Sequence, residues 1–268
     1  MKTRIWYHES DLDGKCSAYI AYNAVGREAI LEGVQYGRGM PEYEVGDNVI
    51  LVDFSFPAHD MSRLDKAVHL EWIDHHKTMP ELPLIHGIRE IGRAGCELTW
   101  EWFHPGEEMP RYVYLLGRYD VWDHADLDVV PFQYGCRSYG DCHPADGLAW
   151  IYIKNVPATL DRGRAIRDYV ISENRMYAEA YHYWGTITDL ATNTIYDAIL
   201  LNRGLCNSLC FSGLKAAVYI AYCSNGSETK VSLFSDTVDV SVLAAQRGGG
   251  GHAGAAGFKT KLTLREVL

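Results

Sequence analysis

The sequence predicts an α/β chain: a parallel sheet with crossover helices comes first, and a helical connector joins it to a smaller α+β domain. Three observations predict this. Over residues 4–73 short apolar runs alternate with helix-length stretches, which is the rhythm of a parallel sheet. Residues 160–183 read as one long helix, with Ile166, Val170, Met176 and Tyr177 set among charged neighbours. After Thr188 the texture changes to short apolar runs broken by turn residues, as in a mostly antiparallel sheet. The expected domains are therefore 1–185, connector included, and 186–268.

Taken in order, 4–8 is a strand, followed by Glu-Ser-Asp-Leu-Asp-Gly and an apolar-periodic helix over 16–25. Residues 29–36 form a second, more mixed apolar run. Val49-Ile50-Leu51-Val52 is a buried strand ending in Asp53, and Pro57 fits the start of a helix over 58–67. A further strand, 69–73, ends in Asp74-His75-His76. Pro80 and Pro83 precede another expected strand at 84–91. Gly92-Arg93-Ala94-Gly95 opens a helix that reaches Phe103. Pro110 opens one over 111–117, leading into Tyr119-Asp120-Val121-Trp122-Asp123. Residues 131–146 read as turn-rich. In the second domain the runs 195–201, 216–222 and 230–234 are strands, and 238–246 is a helix. The glycine-rich box 248–258 then follows.

The 268 residues are 47% hydrophobic and 22% charged, enough to build a full core. Acidic residues outnumber basic ones, 35 to 25, for a net charge of −10. That excludes a protein that grips long duplex nucleic acid through a basic face. A small anionic substrate held by metal ions remains compatible, because carboxylate ligands themselves make the count negative. No apolar h-region follows the N-terminal Met-Lys-Thr-Arg, and no run of about eighteen apolar residues predicts a membrane span. Seven cysteines, an odd number, fit reduced thiols and a cytoplasmic location.

Asp11 with Asp13, Asp53, and Asp74 with His75 each sit just past a short apolar run. In one parallel sheet those strand ends share the carboxyl edge, where ligands collect. Carboxylates and imidazoles without thiolates suit hard divalent cations. Either Asp11 or Asp13 alone would also serve as a helix N-cap. Between Asp120 and Asp123, spacing does not choose. The run Gly248-Gly249-Gly250-Gly251-His252 exposes backbone N–H groups beside Arg247, which suits a phosphate or carboxylate more than it suits a linker. Cys136, Cys142 and His143 lack the spacing of a zinc site, and Cys206 and Cys210 read as plain thiols. Trp122, Tyr134 and Tyr139 receive no site role.

His8…Asp11-x-Asp13-Gly14, then Asp53, then Asp74-His75-His76, then an acid near 120, then the box 248–258, in that order, resemble the DHH phosphoesterase superfamily. The similarity is to its branch with a DHH-associated C-terminal domain, which includes RecJ-type exonucleases, nanoRNases and phosphodiesterases of cyclic dinucleotides. The resemblance implies that His8 and Asp11 hold one metal and Asp13 the other. It implies further that Asp53 bridges the two and takes part in catalysis, that His75 is a ligand, and that Asp120 completes the second site. His76 would contact the phosphate or the leaving oxygen. Arg247, Gly249, Gly250, Gly251 and His252 would seat the substrate. Two divalent cations are expected, manganese in preference to magnesium. The expected activity is a phosphodiesterase that hydrolyses short oligonucleotides to mononucleotides. A cyclic or linear dinucleotide is the alternative substrate, and an inactive nucleotide-binding scaffold the alternative of another class. No long duplex nucleic acid and no membrane are expected as partners, and a homodimer is.

Overall fold

The structure, a computed structural model, describes residues 1–202 and 213–268. The chain divides into two compact units, Met1–Ile166 and Arg167–Leu268. The first opens with strand β1 (Thr3–His8), helix α1 (Leu12–Val25), β2 (Ile30–Val34), β3 (Asn48–Val52), α2 (Ala58–Ala67) and β4 (His69–Ile73). Helices α3 (Gly95–Phe103), α4 (Arg111–Asp120), α5 (Val129–Arg137), α6 (Gly147–Lys154) and α7 (Val156–Tyr181) follow. The α7 helix runs through the division. The second unit continues with β5 (Tyr183–Thr188), β6 (Ile195–Asn202), β7 (Val218–Ser224), β8 (Thr229–Phe234), α8 (Val240–Ala245), β9 (Gly250–His252), β10 (Ala255–Thr260) and the short α9 (Leu264–Val267).

The four N-terminal strands pair in parallel in the order β2-β1-β3-β4. The chain steps to one side of β1 to make β2 and returns on the other for β3 and β4. The switch point therefore lies between β1 and β3, and the crevice outside their carboxyl ends is where such sheets bind ligands. Side chains alternate across the sheet as the period of two requires. Trp6, Leu51 and Trp72 join α2's Met61 and Leu64 on one face. Ile5, Tyr7, Val52 and Ile73 pack with α1's Ala18 and Ala21 and with Leu98 of α3 on the other. Both faces are covered, so the strands read as continuous apolar runs. Beyond α1, a third cluster joins Cys16 and Ile20 to Tyr112, Leu115, Phe132 and Trp150.

Several expectations need correction. Residues 84–91 are not a strand; they run beside β4, with Trp72 N donating to His86 O (2.9 Å) and Asp74 N to Ile88 O (3.2 Å). The Arg89 guanidinium donates to the carbonyls of Trp72 and Ile85, which folds this segment onto itself. Residues 131–137 of the expected turn-rich 131–146 belong to α5, where Pro131 falls in the first turn and its missing N–H leaves no bond unmade. Helix α4 runs on to Asp120, and α7 begins at Val156 and ends at Tyr181, so β5 occupies residues expected to lie at or past its end. Cys206 and Cys210 lie outside the described residues. Cys136 and Cys142 are buried free thiols.

The second unit's sheet has the order β5-β6-β7-β8-β10-β9, antiparallel throughout except for β6 against β7. Val218, Ile220, Val231 and Leu233 face Val240 and Leu243 of α8 across its core. Among the described residues no helix is long and apolar enough to cross a membrane.

Candidate metal centre

The carboxyl edge of the first sheet delivers its polar residues to one place. His8 is the last residue of β1, Asp53 follows β3, and Asp74, His75 and His76 follow β4. Asp53 holds φ at 54°, a left-handed conformation uncommon for a residue with a side chain. Its N–H donates to Ile73 O at 2.8 Å, pinning the bend. The carboxylate is thereby turned into the crevice and buried, 1% exposed.

Around it the ligand-type atoms fall into three overlapping groups: His8, Asp11 and Asp53; Asp53, His75 and His76; and Asp13, His75 and Asp120, each with its atoms within 4.8 Å of one another. His8 Nδ1 is 3.0 Å from Asp11 Oδ2 and 3.7 Å from Asp53 Oδ2. His75 Nε2 lies 3.1 Å from Asp53 Oδ1, 3.5 Å from Asp13 Oδ2 and 3.3 Å from Asp120 Oδ2. Asp53 thus belongs to two groups, and His75 ties Asp53 to the third.

Asp11 is the N-cap of α1, its Oδ1 accepting Gly14 N at 3.0 Å, while Oδ2 faces His8. Asp13 has a partner that the sequence did not announce. Its two oxygens accept the N–H groups of Gly95 and Cys96, each at 2.8 Å, from the start of α3. A helix N-terminus favours negative charge there. Gly95 is required by the approach: a Cβ would stand 2.8 Å from Asp53 Cβ and 3.0 Å from Asp13 Oδ2.

Of Asp120 and Asp123, the fold brings Asp120 to the cluster. Asp120, the last residue of α4, faces His75, whereas Asp123 is turned to Arg118 Nη1 at 3.5 Å. Arg118 also forks onto Glu97, with Nε 3.0 Å from Oε1 and a second, short bond from Nη2 to Oε2. Glu97 is 4% exposed and its Oε2 accepts Ala94 N at 3.0 Å. One ion pair therefore joins the helix start that holds Asp13 to the helix end that carries Asp120. A Glu three residues into a predicted helix was the available signal, but its partner on another helix was not legible.

Asp74 acts on its neighbours. Its Oδ1 accepts His75 N at 2.7 Å, His76 N at 3.2 Å and the Nδ1–H of His76 at 2.8 Å. That fixes the His76 tautomer and leaves Nε2 for whatever enters the crevice.

The electrostatics follow from crowding. Burial opposes charge on His8 and His75, but the surrounding aspartates outweigh it and push them up to about 11 and about 10. His76 is raised in the same way, against burial, by Asp74 and Asp53. Burial, with Asp53 and Asp11 nearby, pushes Asp13 up to about 7, and burial with Asp13 and Asp11 lifts Asp120 well above the carboxylate range. Asp53 goes the other way; burial opposes its charge, and the hydrogen bonds to His75 and His8 overcome it. Carboxylates held this close to one another and out of water are stabilised by a cation. The donor set of four carboxylates and three imidazoles fits hard divalent metal ions.

In the second unit, Arg247 donates to the carbonyls of Leu243 (3.0 Å) and Thr188 (2.8 Å). Gly250, Gly251 and His252 form β9, paired antiparallel with β10 at the sheet edge. Gly249 precedes it where a Cβ would meet Gly257 O at 2.0 Å. Gly249 and Gly251 thus have a packing reason, whereas a side chain at Gly250 would meet nothing.

Residues 2–117 match the model of the DHH family, N-terminal domain. Over these residues the chain is similar to that domain. Asp120 lies just past the matched span. An uncharacterised protein of Acanthamoeba polyphaga mimivirus is 26% identical over 226 residues, covering 79% of this chain and 52% of that protein. The chain thus spans about half the length of the curated relative it matches. Among solved structures, an exopolyphosphatase-related protein from Bacteroides fragilis aligns with a TM-score of 0.52 at 15% identity, covering 99% of this chain and 88% of that one. A pGpG-specific phosphodiesterase from Vibrio cholerae aligns with a TM-score of 0.49 at 13% identity, covering 98% and 94%. At 15% identity the likeness to the Bacteroides fragilis protein is one of fold.

Proposed function

We propose that this protein is a divalent-metal-dependent phosphodiesterase that hydrolyses short oligonucleotides to mononucleotides. The observation that carries the proposal is the three-way convergence on Asp53 and His75. Metal-type ligands from three strand ends, one helix start and one helix end meet in a single buried crevice. His8, Asp11 and Asp53 would hold one ion, and Asp13, Asp53, His75 and Asp120 the other. With imidazole in the set, manganese is preferred to magnesium. Bound there, two divalent ions would supply a nucleophile at neutral pH and neutralise the phosphoryl oxygens.

The chain's own residues do the rest. Asp53, fixed by its strained backbone, holds the two halves of the ligand set in register. Asp74 orients His76 so that Nε2 faces the reacting phosphate; with Asp74 and Asp53 favouring the protonated ring, the Nε2–H stabilises the charge that develops on oxygen and can protonate the leaving group. In the second unit, the hairpin of Gly249, Gly250, Gly251 and His252, entered through Arg247, is proposed as a substrate-binding element. The net charge of −10 supports short substrates, since a long strand would meet repulsion without a basic track.

A product assay with added manganese tests this. It offers an RNA dinucleotide, a five-residue RNA, a twenty-residue RNA and a cyclic dinucleotide side by side. Mononucleotides released from the two short RNAs, with the long one spared, are expected. Preferred cleavage of the cyclic compound would move the function to signal turnover. Binding without cleavage of any of them would replace the enzyme by a scaffold.

A further inference from the structure

We infer that Tyr36 is a stacking platform for a nucleobase at the rim of the candidate metal centre, a role that rests on the phosphodiesterase reading. Tyr36 lies two residues past the end of β2, on the same carboxyl edge that carries the acids. Its ring leans on Phe54, with centroids 4.4 Å apart and planes at 32°. It meets two of the centre's imidazoles at steep angles, His8 at 5.7 Å and His76 at 6.1 Å. Yet 54% of Tyr36 is exposed. Its hydroxyl makes no hydrogen bond among the described residues.

A covering role for the core does not account for this. Phe54 is 2% exposed and also packs against Phe56 at 5.0 Å, within a cluster that includes Leu51 and Trp72. A ring serving only as a lid would be buried by what it covers, as Tyr7 and Tyr112 are elsewhere in this unit. Tyr36 instead keeps a large π surface in water within reach of His8 and His76.

The chemistry of the rim selects the occupant. The charge of the crevice changes when cations bind, while a neutral aromatic face attracts a base in either state. A base is one sugar away from its phosphate. A base stacked on Tyr36 therefore places an attached phosphodiester over His8 and His76, where hydrolysis is proposed. Stacking tolerates every base, so Tyr36 confers a preference for nucleotides over simple phosphate esters and little preference among bases.

The test uses the full chain and the variants Tyr36→Ala, Tyr36→Phe and Tyr36→Trp. Each is given a dinucleotide and an abasic analogue of it that keeps the phosphodiester. Turnover with manganese and equilibrium binding without metal are both measured. Tyr36→Ala is expected to raise KM and Kd for the dinucleotide about tenfold, the loss typical of one stacked base. Tyr36→Phe and Tyr36→Trp should stay within about threefold of the parent, and the abasic analogue should respond to none of the three. Equal weakening of both ligands by Tyr36→Ala would make Tyr36 a prop for His8 and His76 and overturn the proposal, as would an unchanged dinucleotide Kd. The binding arm decides Tyr36 even if no diester is cleaved, an outcome that would count only against the phosphodiesterase reading.

Discussion

At the scale of single residues, the centre depends on positions where the backbone does something a typical residue avoids. Asp53 holds a left-handed φ, which costs of order 1–3 kcal/mol and persists because the bond from its N–H to Ile73 O fixes the turn. What that conformation secures is the direction of the carboxylate shared by two ligand groups. Gly95 is the complementary case, a residue absent from the predicted ligands whose missing side chain lets α3 begin against Asp13 and Asp53. Gly95→Ala should therefore push on both acids at once. We expect an overpacking loss of about 1–3 kcal/mol in stability and at least tenfold weaker manganese binding by calorimetry. Unchanged affinity in a folded Gly95→Ala protein would mean that the two carboxylates are not held by contact with α3. The legible residues here were those with ligand chemistry of their own. Asp74 was legible at its strand end, though not as the residue that orients His76; Gly95, Glu97 and Arg118 act through partners far along the chain, which leave no mark on local sequence.

At the scale of elements, the parallel sheet is tied at the edge opposite the metal centre by Arg4. Its Nε lies 2.8 Å from Asp47 Oδ2 and its Nη1 3.2 Å from Glu32 Oε2, linking the starts of β1 and β3 with β2. Asp47 also accepts Lys2 N at 2.8 Å and is 1% exposed. The Arg4 hydrogen bond, followed by the backbone bond from Lys2, holds the Asp47 carboxyl well below the usual range. An aspartate with a depressed native pKa adds stability that is present above its unfolded value, about 3.9, and is lost as pH falls below it. Asp47→Asn should therefore melt below the parent protein at pH 7, and the gap should narrow steadily as the pH drops beneath 4. Melting temperatures across that range check the sign. A gap constant down to pH 2.5 would show that shape, not charge, is what Asp47 contributes. The strands this network joins were legible from their apolar runs. Residues 84–91 misled because a run with strand-like composition meets β4 only through an isolated bridge, Asp74 to Arg89, while the Arg89 guanidinium ties the segment to the carbonyls of Trp72 and Ile85.

At the scale of the whole molecule, order along the chain carried more information than composition. Each motif was weak alone, but a fixed sequence of strand ends bearing Asp and His fixes which residues a parallel sheet must bring together, because every such end lies on one edge. The same logic fails in the second unit, where antiparallel pairing sends alternate strand ends to opposite edges and the glycine box emerges as an edge hairpin. The net charge of −10 has its most concentrated expression in the first unit, in carboxylates buried at one point. A cation that binds the folded centre and not the unfolded chain must stabilise the fold by mass action. At a free manganese concentration one hundred times Kd the gain is about 2.7 kcal/mol, which in a unit of this size corresponds to a rise of roughly 5–10 °C in melting temperature. The parent protein should show that rise on titration with manganese and lose it with a chelator. Asp53→Asn, which keeps the shape and removes the shared charge, should fold, bind no manganese at those concentrations and show neither the rise nor any turnover. A melting curve of the parent protein that ignores manganese would remove the metal from this centre, and a fully active Asp53→Asn protein would remove Asp53 from the chemistry while leaving the fold as described.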